Sequence, residues 1–188
     1  MDQPILTPIT MNAFLGQIDA LVRAMAASQW RPDYLVGMGR GGLVPATYLS
    51  HATGIAMLSV DLSAKLPDFG DALLARLAER AAAGERLLFV DDINDSGRTI
   101  NAVRHALAAA PAGSARFAVL MDNIRSAASV DYCADRIDRS VTKDWFVFPW
   151  EAVANRDSIL ADWSDVPERT AYDASSRHCR GQAIIVHV

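Results

Sequence analysis

Asp91, Asp92 and Asp95 crowd the stretch VDDINDSGRT, residues 90–99, directly after the apolar run LLFV at 87–90. Like charges this close repel, and burying them together costs free energy unless something offsets them. Adjacent carboxylates at a strand end can accept hydrogen bonds from vicinal sugar hydroxyls, or hold Mg²⁺ through water. The following Ser96-Gly97-Arg98-Thr99 reads as the start of a helix. Backbone amides and the helix dipole favour an anion there. Ser96 and Thr99 add hydroxyl donors, and Gly97 permits close backbone approach. One half of the stretch thus suits sugar and metal, the other a phosphate monoester. The competing reading makes Asp95 a helix cap, with Asp91 and Asp92 a solvated strand end.

A second cluster, GMGRGG, fits G-x-G-x-x-G through Gly37, Gly39 and Gly42, with Asp61 about 20 residues on. A strand precedes it and a helix follows. By itself it fits a nicotinamide or flavin site, or a tight strand-to-helix turn. The dinucleotide reading leaves VDDINDSGRT unexplained.

The elements that must position these loops follow from periodicity. Thr10 is an N-cap, and Phe14, Ile18, Leu21, Val22 and Met25 follow at helical spacing. Residues 33–38, 55–60, 86–90, 116–121 and 145–148 read as strands. Residues 43–53, 71–83 and 99–110 read as helices, with Pro45 in a first turn. The acidic motif and SAKLPDFG at 63–70 read as loops. Strands alternate with helices and are continuously apolar, which predicts an α/β fold with a mostly parallel sheet covered on both faces. From Ala152 the chain turns polar, closing with AIIVHV at 183–188.

The 188 residues are 51% hydrophobic, enough for one domain with a substantial core. The net charge of -4 provides no basic field for nucleic acid. Two cysteines, Cys133 and Cys179, do not form a zinc spacing or a disulfide framework, and the cytoplasm is the simplest compartment. No run approaches the roughly 18 apolar residues of a membrane span. His51 and His105 read as helix-surface residues, His178 and Cys179 lack further ligands nearby, and Arg136, Arg139 and Lys143 read as a solvated basic face.

VDDINDSGRT resembles the phosphoribosyl pyrophosphate signature of the type I phosphoribosyltransferases, with Ser96 for the commoner threonine. Gly39 to Gly42, GRGG, resembles the pyrophosphate loop of that family. The resemblance implies a cis Gly39–Arg40 peptide and pyrophosphate contacts from Gly39, Arg40 and Gly41. DWFVFPWE at 144–151 resembles the hood of the 6-oxopurine enzymes, where an aromatic residue stacks on the base. Trp145 would stack, Phe146 would read the base edge through its backbone, and Phe148 and Trp150 read as core.

The fold implied is the type I phosphoribosyltransferase fold. Residues 1–151 would form the domain, with the hood near 121–151, and 152–188 a C-terminal extension. The reaction implied is phosphoribosyl transfer to a purine, in a dimer or tetramer. Asp91 and Asp92 would hold the ribose hydroxyls and Mg²⁺, and Ser96, Gly97, Arg98 and Thr99 the 5-phosphate. Asp95 would act as general base and Arg40 would stabilise the leaving group. The loop at 63–70 would be a lid. The lysine that often contacts the purine 6-oxygen is replaced by Asn123, leaving Asn123 or Lys143 to substitute. The altered lid and the missing lysine keep a second reading open, a phosphoribosyl pyrophosphate sensor without turnover.

Overall fold

The computed structural model describes residues 4–62 and 67–164. The chain runs β1 (Leu6–Pro8), α1 (Met11–Ala27), β2 (Tyr34–Met38), α2 (Gly39–Thr53), β3 (Met57–Val60), α3 (Pro67–Ala82) and β4 (Leu87–Asn94). It continues through α4 (Arg98–Ala106), β5 (Ala115–Asn123), β6 (Tyr132–Ile137), β7 (Trp145–Val147) and α5 (Arg156–Ser164). Five strands form one sheet in the order β3-β2-β4-β5-β6, and every pairing in it is parallel.

Alternation along the strands divides the core between two faces. Leu35, Leu88 and Val90 pack with Phe14, Ile18 and Leu21 of α1 and Ala46 and Leu49 of α2. Val36, Leu87 and Phe89 point the other way, against Leu74 and Leu77 of α3 and Ile100 and Val103 of α4. Both faces are covered, so β2 and β4 carry unbroken apolar runs. Thr10 caps α1 as expected, its hydroxyl accepting from the Ala13 amide at 3.1 Å.

Several boundaries differ from the sequence reading. The helix expected from residue 43 begins at Gly39, so the glycine cluster is its first turn. Pro45 therefore lies inside α2 and removes the helical bond to the Gly41 carbonyl. A Cβ on Gly42 would collide with the Val90 carbonyl oxygen, so glycine is what lets α2 lie against β4. The acidic stretch is not a loop at its start. Pairing with β5 carries β4 on through Asp91, Ile93 and Asn94. Two strands were not anticipated. β6 exposes Asp135 and Arg136 at a sheet edge and lacks an apolar run, while β1 contains Pro8 and pairs only with β7. α3 starts at Pro67, ahead of residue 71. Ser63 to Leu66 of the expected lid, His178, Cys179 and the closing AIIVHV at 183–188 lie outside the described residues.

The chain leaves β2 for β3 on one side and returns to β4 on the other. Such a reversal opens a crevice at the carboxyl ends of the strands. α2 and α4 both begin at this edge. Replacing Gly42 with alanine is expected to destabilise the fold by about 1–3 kcal/mol through overpacking. A urea unfolding midpoint equal to wild type would contradict this seating of α2.

Candidate active site

Asp91 and Asp92 stand half-buried near the end of β4. Asp91 accepts from the Asp92 amide at 3.0 Å, and Asp92 accepts from the Ile93 amide at 2.7 Å. Burial pushes Asp91 well above the usual carboxylate range, and the charge of Asp92 adds to it. Burial pushes Asp92 up to about 7, with a further contribution from Glu151. A Cβ on Gly41 would collide with the Asp92 carboxylate. The first turn of α2 therefore abuts the acid pair. Glu151 follows the hood, accepts from the Phe148 amide at 2.9 Å, and is itself raised by burial. Arg40 stands on the exposed rim, 3.8 Å from Asp162 of α5.

Asp95, Ser96, Gly97, Arg98 and Thr99 line a pocket beside Asp91. α4 is capped by Gly97 at φ 85°, which makes no side-chain cap, and the Arg98 amide reaches the Ser96 hydroxyl at 3.4 Å. The next first-turn amides, of Thr99 and Ile100, can take an external acceptor. Gly97 is needed for two reasons. Its φ is left-handed, and a Cβ there would lie 2.6 Å from the Ala128 amide nitrogen. Buried Asn94 holds that turn in place: its amide donates to Asp122 at 2.8 Å and to the Ala128 carbonyl at 2.7 Å, and its oxygen accepts from Ser126 at 2.8 Å.

The capping reading of Asp95 fails, because its carboxylate faces Arg139 instead. Arg139 Nε donates to Asp95 Oδ1 at 3.0 Å, with the two side chains only 13% and 22% exposed. Arg139 Nη1 also donates to the Asp144 carbonyl at 2.6 Å, and its guanidinium lies 5.1 Å from the Phe146 ring centre. The solvated basic face expected at 136–143 is therefore wrong for Arg139. Neighbouring Arg136 and Lys143 are exposed, and nothing in DRIDRSVTK marks which cation turns inward.

In the hood, Trp145 and Phe146 are half-buried on β7, paired with Leu6 and Thr7 of β1. Phe148 is buried, Trp150 stacks on it at 4.9 Å, and both join the core as expected. Asn123 does not face the base pocket as a free donor. Its amide donates to the Asp95 carbonyl at 2.8 Å, and its oxygen accepts from the amides of Arg125 and Arg139, each at 3.2 Å. The expected cis Gly39–Arg40 peptide is not found, since no peptide among the described residues is cis. Gly39 adopts φ 57° instead, and this left-handed residue redirects the backbone with a trans bond.

A strand-end acid pair flanked by two helix starts can take a cation or hydroxyl donors at the carboxylates and an anion at the helix starts. A profile of the phosphoribosyl transferase domain matches residues 11–155, and the chain belongs to that family. It is 30% identical over 121 residues to an adenine phosphoribosyltransferase of Salinispora tropica, a match covering 59% of this chain and 63% of that protein. The chain thus aligns with less than two thirds of that curated relative. The solved purine phosphoribosyltransferase of Pyrococcus horikoshii is similar at TM-score 0.58 and 25% identity, over 80% of this chain and 96% of that one. The xanthine-guanine-hypoxanthine phosphoribosyltransferase of Helicobacter pylori shares the fold at TM-score 0.59 and 20% identity, over 87% and 99% of the two chains.

Carboxylates raised on folding bind more protons in the native state than in the unfolded one. Their contribution to stability therefore falls as pH rises from about 4 through about 7. Asp92→Asn is expected to raise Tm at pH 8 in EDTA by about 3–6 °C, and to leave Tm at pH 4 nearly unchanged. A lower Tm for this variant at pH 8 would contradict the burial cost inferred for the Asp92 charge.

Proposed function

We propose that the protein transfers the 5-phosphoribosyl group of phosphoribosyl pyrophosphate to N9 of a purine, preferring 6-oxopurines, and releases pyrophosphate. The observation that carries this reading is the half-buried acid pair set between two helix starts whose N-cap residues, Met38 and Gly97, make no side-chain cap. In this reading the 5-phosphate takes the amides and hydroxyls of Ser96, Gly97, Arg98 and Thr99. Asp91 and Asp92 accept from the ribose 2- and 3-hydroxyls. Gly39, Arg40 and Gly41 receive the pyrophosphate at the start of α2. Trp145 stacks on the base and the Phe146 backbone reads its edge.

The donor set fits Mg²⁺. Asp91 and Asp92 offer adjacent hard oxygens whose charge burial leaves poorly compensated. These two residues would hold the ion, which when bound supplies positive charge to the pyrophosphate oxygens. Among the described residues no cluster of three or more His, Cys, Asp or Glu forms a closed cage, so the substrate would supply the remaining ligands.

In the transfer, the bond from C1 to the pyrophosphate oxygen breaks and a bond from C1 to N9 forms. The two strand-end carboxylates stabilise the positive charge that develops on the ribose, and Arg40 the negative charge on the leaving group. Asp95 takes the proton released at N7 of the base. The reading extends to nucleotide salvage in the cytoplasm by a dimer or tetramer, supported by the family resemblance alone. No helix of the described residues is long and apolar enough to cross a membrane.

Pyrophosphate release with Mg²⁺ and hypoxanthine, xanthine, guanine, adenine, uracil or orotate, each tested separately, examines the reading. Release with oxopurines ahead of adenine supports it. Release only with a pyrimidine, or donor binding without release by any base, would overturn it, the latter in favour of a sensor. Asp95→Asn is expected to keep donor binding and lose turnover about 10²–10⁴-fold. Undiminished turnover in that variant would remove Asp95 from the chemistry.

A further inference from the structure

The proposed general base is not alone in its pocket. Asp95 shares a bond of 3.0 Å with Arg139, and both side chains are largely withdrawn from water. Arg139 is also anchored to the hood, through the Asp144 carbonyl and the Phe146 ring. The pair therefore joins the loop after β4 to the segment that carries Trp145, the two parts that hold the base on the reading above. Of the two residues first considered for reading the base, Asn123 has both ends of its amide engaged by backbone groups of Asp95, Arg125 and Arg139, and Lys143 is exposed.

We propose that Asp95 and Arg139 together read the N7–C6 edge of the purine, and that Arg139 selects an oxygen over an amino group at C6. This rests on the phosphoribosyl transfer reading. The pair presents one acceptor and one donor side by side. A purine attacking through N9 carries its proton on N7, and a 6-oxopurine places its oxygen on the same edge. The carboxylate accepts from N7–H while the guanidinium donates to the 6-oxygen. Each member exchanges its present bond for one of the same kind, so no buried group loses its partner. Adenine puts an amino donor where the oxygen would be. A guanidinium has donors only, so two donors would face each other in a poorly hydrated site. Arginine makes this choice between guanine and adenine on the same edge when it reads DNA.

The test compares kcat/KM for hypoxanthine and adenine in wild type, Arg139→Lys and Arg139→Gln. Lysine keeps a donor-only cation, and the preference for hypoxanthine should persist. Glutamine offers both a donor and an acceptor. Its kcat/KM for hypoxanthine should fall about 10–100-fold, adenine should lose less, and the ratio should collapse by at least about tenfold. Arg139→Met has no donor, is expected to show the same collapse, and serves if the glutamine variant does not fold. A ratio unchanged in Arg139→Gln or Arg139→Met, with wild type active on hypoxanthine, would overturn this inference and leave phosphoribosyl transfer standing. Wild type inactive on every purine would overturn both.

Discussion

Two adjacent carboxylates at the end of a buried parallel strand organise this molecule. Asp91 and Asp92 are held by continuous β4–β5 pairing that extends past them to Asn94, so they cannot withdraw into solvent. Burial raises both, and the surroundings answer with positive ends of backbone. α2 abuts Asp92 because Gly41 and Gly42 carry no side chain. α4 starts just beyond, with no side-chain cap from its N-cap residue Gly97. The strand order that reverses beside β2 puts both helix starts at one edge. A site of this kind is unstable as charge and stable as half of a complex, which is a common condition of binding sites.

The second organising contact is the Asp95–Arg139 pair. It joins the loop after β4 to a hood that is also held by core packing of Phe148 and Trp150 and by β1, where the Ile5 carbonyl accepts from the Trp145 amide at 2.8 Å. Thr7 adds a hydroxyl bond to Asp144 at 2.6 Å. The hood is thus clamped on one side by the chain start and on the other by Arg139. The loop after β4 and the hood are built by different elements, and this pair is a direct link between them.

Much of this was legible in the sequence, and for physical reasons. Period-two burial on both faces leaves an unbroken apolar run, so β2 and β4 declare themselves. Helical spacing and a threonine cap do the same for α1. The acidic motif announces ligands because nothing else excuses its charge. What stayed hidden was tertiary. The polar edge strand β6 lacks a run, and the three-residue β1 exists only through its partner. The first turn of α2 is helical although three of its four residues are glycines, which disfavour helix, because tight packing on β4 outweighs propensity. Arg139 looks like Arg136 in a string of residues; only the fold turns one inward and leaves the other in water.

On the proposed function, the loops at the starts of α2 and α4 form one site for a phosphorylated, pyrophosphorylated sugar. Calorimetric titration of phosphoribosyl pyrophosphate into the full chain, with and without Mg²⁺, tests it most directly. Saturable binding at one site per chain is expected, weakened sharply when Mg²⁺ is withheld and when Asp91 and Asp92 are both replaced by asparagine. Absence of binding with Mg²⁺ present, or equal binding by the doubly substituted chain, would contradict it.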